Sequence, residues 1–177
     1  GIYFKLQSFI FMPVFGLNNG LIPVVAYNFG AKKRKRVTEA IKYAVFIALT
    51  IMILGLLIFQ LFPRQLLELF AHDDEKHAAL ISVGIPALRT ISLCFVFAGI
   101  CIVIGSVFQA LGKGSFSMYV SIARQLLVLI PVAYLLSKTN NVNAVWYAFP
   151  IAEVISLCVS LFFFSRLYKS RIKTIPE

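Results

Sequence analysis

The sequence predicts an all-α integral membrane protein that crosses a bilayer five times, and three observations carry that prediction. Of 177 residues, 60% are hydrophobic and only 14% charged, whereas soluble domains run at about 45–50% and about 25%. Mean hydropathy is +0.88. The apolar residues are gathered into long runs without period-2 alternation, which excludes an outer-membrane barrel and core strands alike. The same composition excludes disorder, a disulfide scaffold and a conventional soluble enzyme.

A helix needs about 20 mostly apolar residues to cross the hydrocarbon layer. Five runs qualify, over about residues 6–31, 43–62, 78–111, 114–137 and 142–165, followed by a basic tail over 166–177. The first two carry no charge. The third contains Arg89, the fourth Arg124 and the fifth Glu153. Pro13, Pro23, Pro86, Pro131 and Pro150 all fall inside spans, so every span but the second is expected to be kinked, a pattern that suits a transporter or channel. Cys94, Cys101 and Cys158 lie in spans without a C-x-x-C pair and read as packing residues. The chain starts at Gly1, without Met and already entering an apolar run, so a preceding segment is expected.

The net charge of +10 is a statement of orientation, because basic residues near span ends are held in the cytoplasm. Lys32, Lys33, Arg34, Lys35, Arg36, Lys42, Lys113, Arg166, Lys169, Arg171 and Lys173 fall on one side; Lys5, Arg64, Lys76 and Lys138 fall on the other, with Glu68, Asp73, Asp74 and Glu75. The N-terminus is therefore expected outside and the C-terminus inside. The run Lys32 to Arg36 needs no nucleic-acid partner; its place directly after a span accounts for it, with membrane lipid headgroups as its contact. The stretch from His72 to His77 reads as a solvated turn and helix start, since its spacing is unlike that of metal ligands. No cofactor or metal is expected.

The polar residues inside the spans are the functional candidates. Asn18 and Asn19 lie near mid-depth, where an amide needs a partner or a wet cavity; either they join helices or they contact a transported molecule. Gly16 and Gly20 form a small-xxx-small face that a second helix can approach closely. Arg89 is placed to snorkel to the outer interface. Arg124 and Glu153 each lie about ten residues into their spans, or ~15–17 Å at ~1.5 Å per residue. They are expected to face the protein interior, as a structural ion pair, in a shared polar network, or with Glu153 serving as a cation-binding or proton-linked acid, and the sequence leaves open that they make no contact at all. Trp146, Tyr147, Tyr3 and Tyr168 suit an interfacial belt. The remaining aromatics, such as Phe9, Phe11, Phe15, Phe162, Phe163 and Phe164, are expected against lipid or neighbouring helices.

Three blocks carry a resemblance. Gly16-Leu-Asn-Asn-Gly-Leu-Ile-Pro-Val-Val-Ala-Tyr-Asn-Phe-Gly-Ala31 and its basic run resemble the eighth helix and following loop of the multidrug and toxic compound extrusion (MATE) family, nearest its bacterial DinF/MepA-like branch. Phe108-Gln-Ala-Leu-Gly-Lys-Gly114 with Ser121-Ile-Ala-Arg-Gln125 resembles that branch's tenth and eleventh helices, and Trp146 to Glu153 its twelfth. Ile22 departs from the pattern, where many relatives place Gln. The resemblance implies twelve helices in two six-helix lobes, with this chain forming most of the second.

It further implies alternating access between the lobes, export of small organic cations against Na⁺ or H⁺, and a bacterial cytoplasmic membrane. The missing N-terminal lobe would be the main partner. The motif positions Gly16, Gly20, Pro23, Tyr27, Asn28, Gly30, Ala31, Gln109 and Gly112 would then serve packing or gating, with Asn18, Asn19, Arg124 and Glu153 as candidates for the cavity. A lipid or polysaccharide flippase of the same two-lobe architecture is the alternative. A passive scaffold or channel subunit explains the hydropathy but not the mid-depth polar residues, and no span presents a nucleophile with its base.

Overall fold

The computed structural model describes residues 2–69, 74–138 and 141–175. In chain order these form α1 (Ile2–Gly30), α2 (Arg34–Leu61), α3 (Pro63–Glu68), α4 (Asp74–Ser92), α5 (Phe95–Ala110) and α6 (Gly114–Ile122). A π-helical turn follows over Ala123–Leu129, then α7 (Ile130–Ser137), α8 (Val142–Val145), α9 (Ala148–Leu167) and a second π turn over Tyr168–Ile172. Among the described residues there is no strand. Among the described residues four stretches are long and apolar enough to cross a membrane, namely Tyr3–Gly30, Arg34–Leu61, Gly114–Ser137 and Asn143–Ile172. The third expected span, over 78–111, is not a single helix: Ile81–Ser92 and Phe95–Ala110 meet at 49°.

That break has a side-chain basis. Ending α4 frees carbonyls that a bilayer cannot hydrate. Gln60 Nε2, from the last turn of α2, donates to the Arg89 carbonyl at 2.8 Å, and Ser92 Oγ donates to the same oxygen at 3.0 Å. Cys94 Sγ donates to the Ile91 carbonyl at 2.8 Å. The bend therefore sits at Leu93 and Cys94, beyond Pro86, where sequence reasoning placed the kink. Pro13 and Pro23 are both accommodated within the continuous α1, and Pro150 lies in the first turn of α9, where a missing N–H costs little.

The observed helices also overrun the expected spans. α2 begins at Arg34, and its 28 residues extend about 42 Å at ~1.5 Å each, against about 30 Å of hydrocarbon; the basic first turns project past the apolar layer without breaking the helix. At the other end of the chain, residues 166–172 are not a separate tail. α9 runs to Leu167 and the π turn to Ile172, because Leu167 and Ile172 are both buried in the core. The stretch from His72 to His77 is covered only in part: α4 starts at Asp74, while His72 and Asp73 lie outside the described residues.

Close packing uses small residues, though not those anticipated. α5 stands at the centre against α1, α2, α6 and α9. On α9 the buried stripe is Ala148, Ala152, Ser156 and Ser160, at a strict four-residue spacing that keeps one thin face toward its neighbour. On α2 it includes Ala44, Ala48, Met52 and Gly55; Gly55 is pressed by Ile10 and Gly99 by Met52. Gly16 and Gly20, by contrast, face open space, so the expected glycine seam is unused within this helix set. Aromatic edges lock the centre, with Phe95 edge-on to Phe11 at 5.4 Å and to Phe59 at 5.1 Å between ring centroids. Toward the end of the bundle that carries the Lys113 loop, Phe116 stacks on Phe163 at 5.1 Å.

α1 and α5 end in the same way. The Lys33 N–H reaches the Asn28 carbonyl and that of Lys32 reaches Phe29; the Lys113 N–H reaches Phe108 and that of Gly112 reaches Gln109. Both are Schellman closures, whose turning residue takes a left-handed conformation: Gly112 at φ 69° and Lys32 at φ 56°. Both deliver a basic loop to one end of the bundle, and Tyr168, at the far end of α9, meets Thr38 and Arg34 of α2 there. At the opposite end Tyr3 and Phe149 bring the starts of α1 and α9 together, 6.4 Å between rings. Because only glycine takes this conformation without a Cβ clash, Gly112→Ala should destabilise the purified full-length protein by about 1 kcal/mol and Lys32→Gly should be neutral or stabilising. Thermal unfolding in detergent measures both; equal responses to the two changes would contradict the capping assignment.

Candidate functional site

The site is built around Arg124 and Glu153. Pro131 offers no N–H to the turn before it, and its ring crowds the carbonyl four residues back. The chain in front of it is wound as a π turn, a local widening often found where side chains must be aimed. Arg124 stands in that turn. Glu153 follows Ala152 on α9, one position off the thin buried stripe. Arg124 Nη1 donates to Glu153 Oε1 at 2.9 Å, with the side chains 35% and 14% exposed. Glu153 Oε2 is buried without a protein donor.

The pair borders two cavities. The larger, of about 260 Å³, is lined by Asn18, Asn19, Gln109 and Arg124, by Ser106, Ser117, Ser121, Ser156 and Ser160, and by Cys101, Phe15 and Phe108 among apolar neighbours. The smaller, of about 160 Å³, is lined by Tyr3, Gln7, Cys94, Arg124, Gln125 and Glu153 together with apolar residues. Asn18 is 5% exposed, and its Oδ1 is buried with no protein donor. The neighbouring Asn19, a third of a turn round the helix, is exposed. Ser106 Oγ satisfies itself on the Ile102 carbonyl one turn back at 3.1 Å, the usual solution for a hydroxyl in an apolar helix.

Four of the residues singled out from sequence, Asn18, Asn19, Gln109 and Arg124, thus line one cavity, and Glu153 joins them through Arg124. Gly16, Gly20, Pro23, Tyr27, Asn28, Gly30, Ala31 and Gly112 line neither. Asn28 Nδ2 turns back to the Val24 carbonyl at 2.8 Å, Gly112 closes a helix, and Gly30 faces open space. Arg89 is exposed on the last turn of α4, level with Gln60 at the end of α2, so it stands at that end of the bundle and away from the pair. Tyr3, expected in an interfacial belt, lines the smaller cavity instead. Sequence reasoning missed Ser156 and Ser160; their signal was the four-residue repeat of small residues from Ala148.

An all-helical bundle with an ion pair and amide-lined cavities inside its spans defines one class, a polytopic membrane transporter. The family is shown by sequence: the MatE family profile matches residues 1–135, and the chain belongs to that family. The match stops before α8, so Glu153 lies beyond it. The multidrug export protein MepA of Staphylococcus haemolyticus is 26% identical over 165 residues, 92% of this chain and 34% of the relative. MepA of Staphylococcus saprophyticus is 27% identical over 155 residues, 88% and 33%.

Among solved structures, that of the MATE multidrug transporter DinF-BH, solved as a complex, has a TM-score of 0.81 at 31% identity, covering 98% of this chain and 37% of that one. An inward-facing multidrug resistance MATE transporter of the MOP superfamily has a TM-score of 0.89 at 21% identity, covering 98% and 40%, and shows the shared fold. The chain therefore spans about a third of the length of the curated relatives it matches. These relatives are transporters, not enzymes, and they fall in the branch the motifs resembled.

Removing one partner of a partly buried pair leaves an uncompensated charge, which costs more than losing both. Arg124→Ala and Glu153→Gln should each destabilise the full-length protein, and the double variant should be less destabilised than the sum by about 1–2 kcal/mol. A thermal-unfolding double-mutant cycle measures this. Additive losses would contradict a working ion pair.

Proposed function

We propose that the full protein is a secondary active multidrug exporter, an antiporter that moves small organic cations against Na⁺ or H⁺ by alternating access between two lobes. In this reading the chain supplies helices eight to twelve, most of the second lobe, in a bacterial cytoplasmic membrane. The Ile2 end of α1 is outside and the basic loops and C-terminus are in the cytoplasm, a reading that the distribution of Lys and Arg supports. Membrane lipids, the other lobe and the transported cations are its partners.

The observation that carries the reading is the bare face of α1. Phe9, Met12, Phe15, Gly16, Asn19, Gly20, Pro23, Val24 and Tyr27 recur at helical spacing, and all are exposed. An amide at mid-depth is costly against lipid, and two glycines with nothing near them leave room for another surface. A second lobe across a cleft satisfies both, and Phe15 and Tyr27 provide ring faces for a cation. Glu153, held inside the lobe by Arg124, is the acid on which an ion-coupled change would act. A flippase would use Arg89 and Arg124 to attract phosphate, and against that reading Arg124 is already paired with Glu153 while Arg89 stands at the end of the bundle, away from it.

Cells or vesicles carrying the full-length protein should expel a fluorescent organic cation, and comparison with and without Na⁺ identifies the coupling ion. Tyr27→Ala and Phe15→Ala should weaken apparent affinity by about two- to fivefold, the ~0.5–1 kcal/mol of a cation–π contact. Glu153→Gln should abolish concentrative export. Absence of efflux for every cation tried, in either medium, would remove the exporter reading.

A further inference from the structure

The two cavities lie toward opposite ends of the lobe and share Arg124. The larger opens from the pair toward the end that carries the basic loops, past Asn18, Ser156, Ser160 and Gln109. The smaller lies on the side of Tyr3, Gln7 and Gln125. Neither suits a bulky organic cation. Drug-sized ligands occupy roughly 300–1,000 Å³ of mostly apolar space, while the larger cavity here is about 260 Å³, rich in hydroxyls and amides, with the cationic Arg124 as its charged lining residue. Each cavity borders a residue with an unanswered acceptor: Asn18, with a buried Oδ1, lines the first, and Glu153, with a buried Oε2, the second. The donor that fits a roomy polar cavity of this kind is water, which occupies such sites when several polar groups can hold it.

We infer that both cavities are water-filled and that the Arg124–Glu153 ion pair is the plug between them, so that parting the pair joins two half-channels into a proton path through a single lobe. A hydronium reaching Glu153 transfers a proton to the free Oε2; an O–H bond forms there, water is left behind, and the neutral acid no longer holds the guanidinium. The other titratable groups bordering these cavities are Tyr3 and Cys94 on the side of Glu153 and Cys101 on the side of the serines. Tyrosine and cysteine side chains are ordinarily protonated at neutral pH. This goes beyond the exporter reading, since it concerns proton access within one lobe and involves no drug.

Two measurements test it on the full-length protein. In proteoliposomes with a trapped pH dye and no drug, Arg124→Ala should dissipate an imposed pH gradient severalfold faster than wild type, and Ser160→Leu added to it, filling the larger cavity, should restore the slow rate. A variant no leakier than wild type, or a leak indifferent to Ser160→Leu, would overturn the inference. The second measurement needs no change at the pair. Cys101 borders the larger cavity, so with Cys94→Ser and Cys158→Ser in place it should react with a small water-soluble methanethiosulfonate, and Ser160→Leu should slow the reaction about tenfold by removing access. Failure of Cys101 to react, while a cysteine introduced in the 31–33 loop is labelled, means a dry cavity and ends the proposal.

Discussion

A charge half-way through a hydrocarbon layer costs several kcal/mol unless another charge answers it. Arg124 and Glu153 stand on helices separated by a loop, and their approach to 2.9 Å constrains most of what surrounds them. Arg124 must project from α6 and its π turn toward α9 at the level where Glu153 emerges, so the turn ahead of Pro131 is widened. Glu153 must come close enough to be reached, so α9 presents alanines and serines toward its neighbour in place of bulky side chains. The serines that make the packing thin are the same serines that make the larger cavity polar. Packing and polarity are thus two results of one sequence choice.

The same economy of polar groups explains the bend between α4 and α5. A helix cannot stop inside a membrane unless its last carbonyls find donors, and Gln60, Ser92 and Cys94 supply them from one neighbouring helix and two local positions. This junction was illegible in the sequence. Residues 78–111 form one apolar run, proline is the usual mark of a kink, and nothing local to Leu93 signals that Gln60, more than thirty residues earlier, will stand beside it. The five apolar segments were legible because burial in lipid is imposed residue by residue on composition. Their ends were less so: a helix of Arg34-Lys35-Arg36 passes the apolar boundary without a break, and the core role of Ile172 depends on a π turn that has no composition of its own.

The candidate site divides in the same manner. Arg124 and Glu153 could be singled out because charge inside a span is rare and expensive, and their depth could be counted along each helix. Gly16 and Gly20 matched a packing motif equally well, yet they face open space, since the motif says only that a surface can come close and not which one does. Ser156 and Ser160 were overlooked because serine in a span is unremarked when taken singly; only the four-residue register from Ala148 gives them a common direction.

The two faces of α1 differ in what covers them. Its inner face carries Val14, Leu21 and Val25 into the core with Asn18 among them, and it is bound to α2 and α5. Its outer face carries Asn19, two glycines and aromatic rings that no described helix covers, and at its edge Phe15 and Asn19 also line the larger cavity. One helix therefore joins the interior, where Asn18 borders the cavity beside the ion pair, to the surface where a second lobe would meet it. A change in the protonation or pairing of Glu153 alters what Arg124 must do at that cavity, and Asn18 shares its wall. Neighbouring asparagines, a third of a turn apart on one helix, place the cavity beside the ion pair and the uncovered face of α1 within one residue of each other.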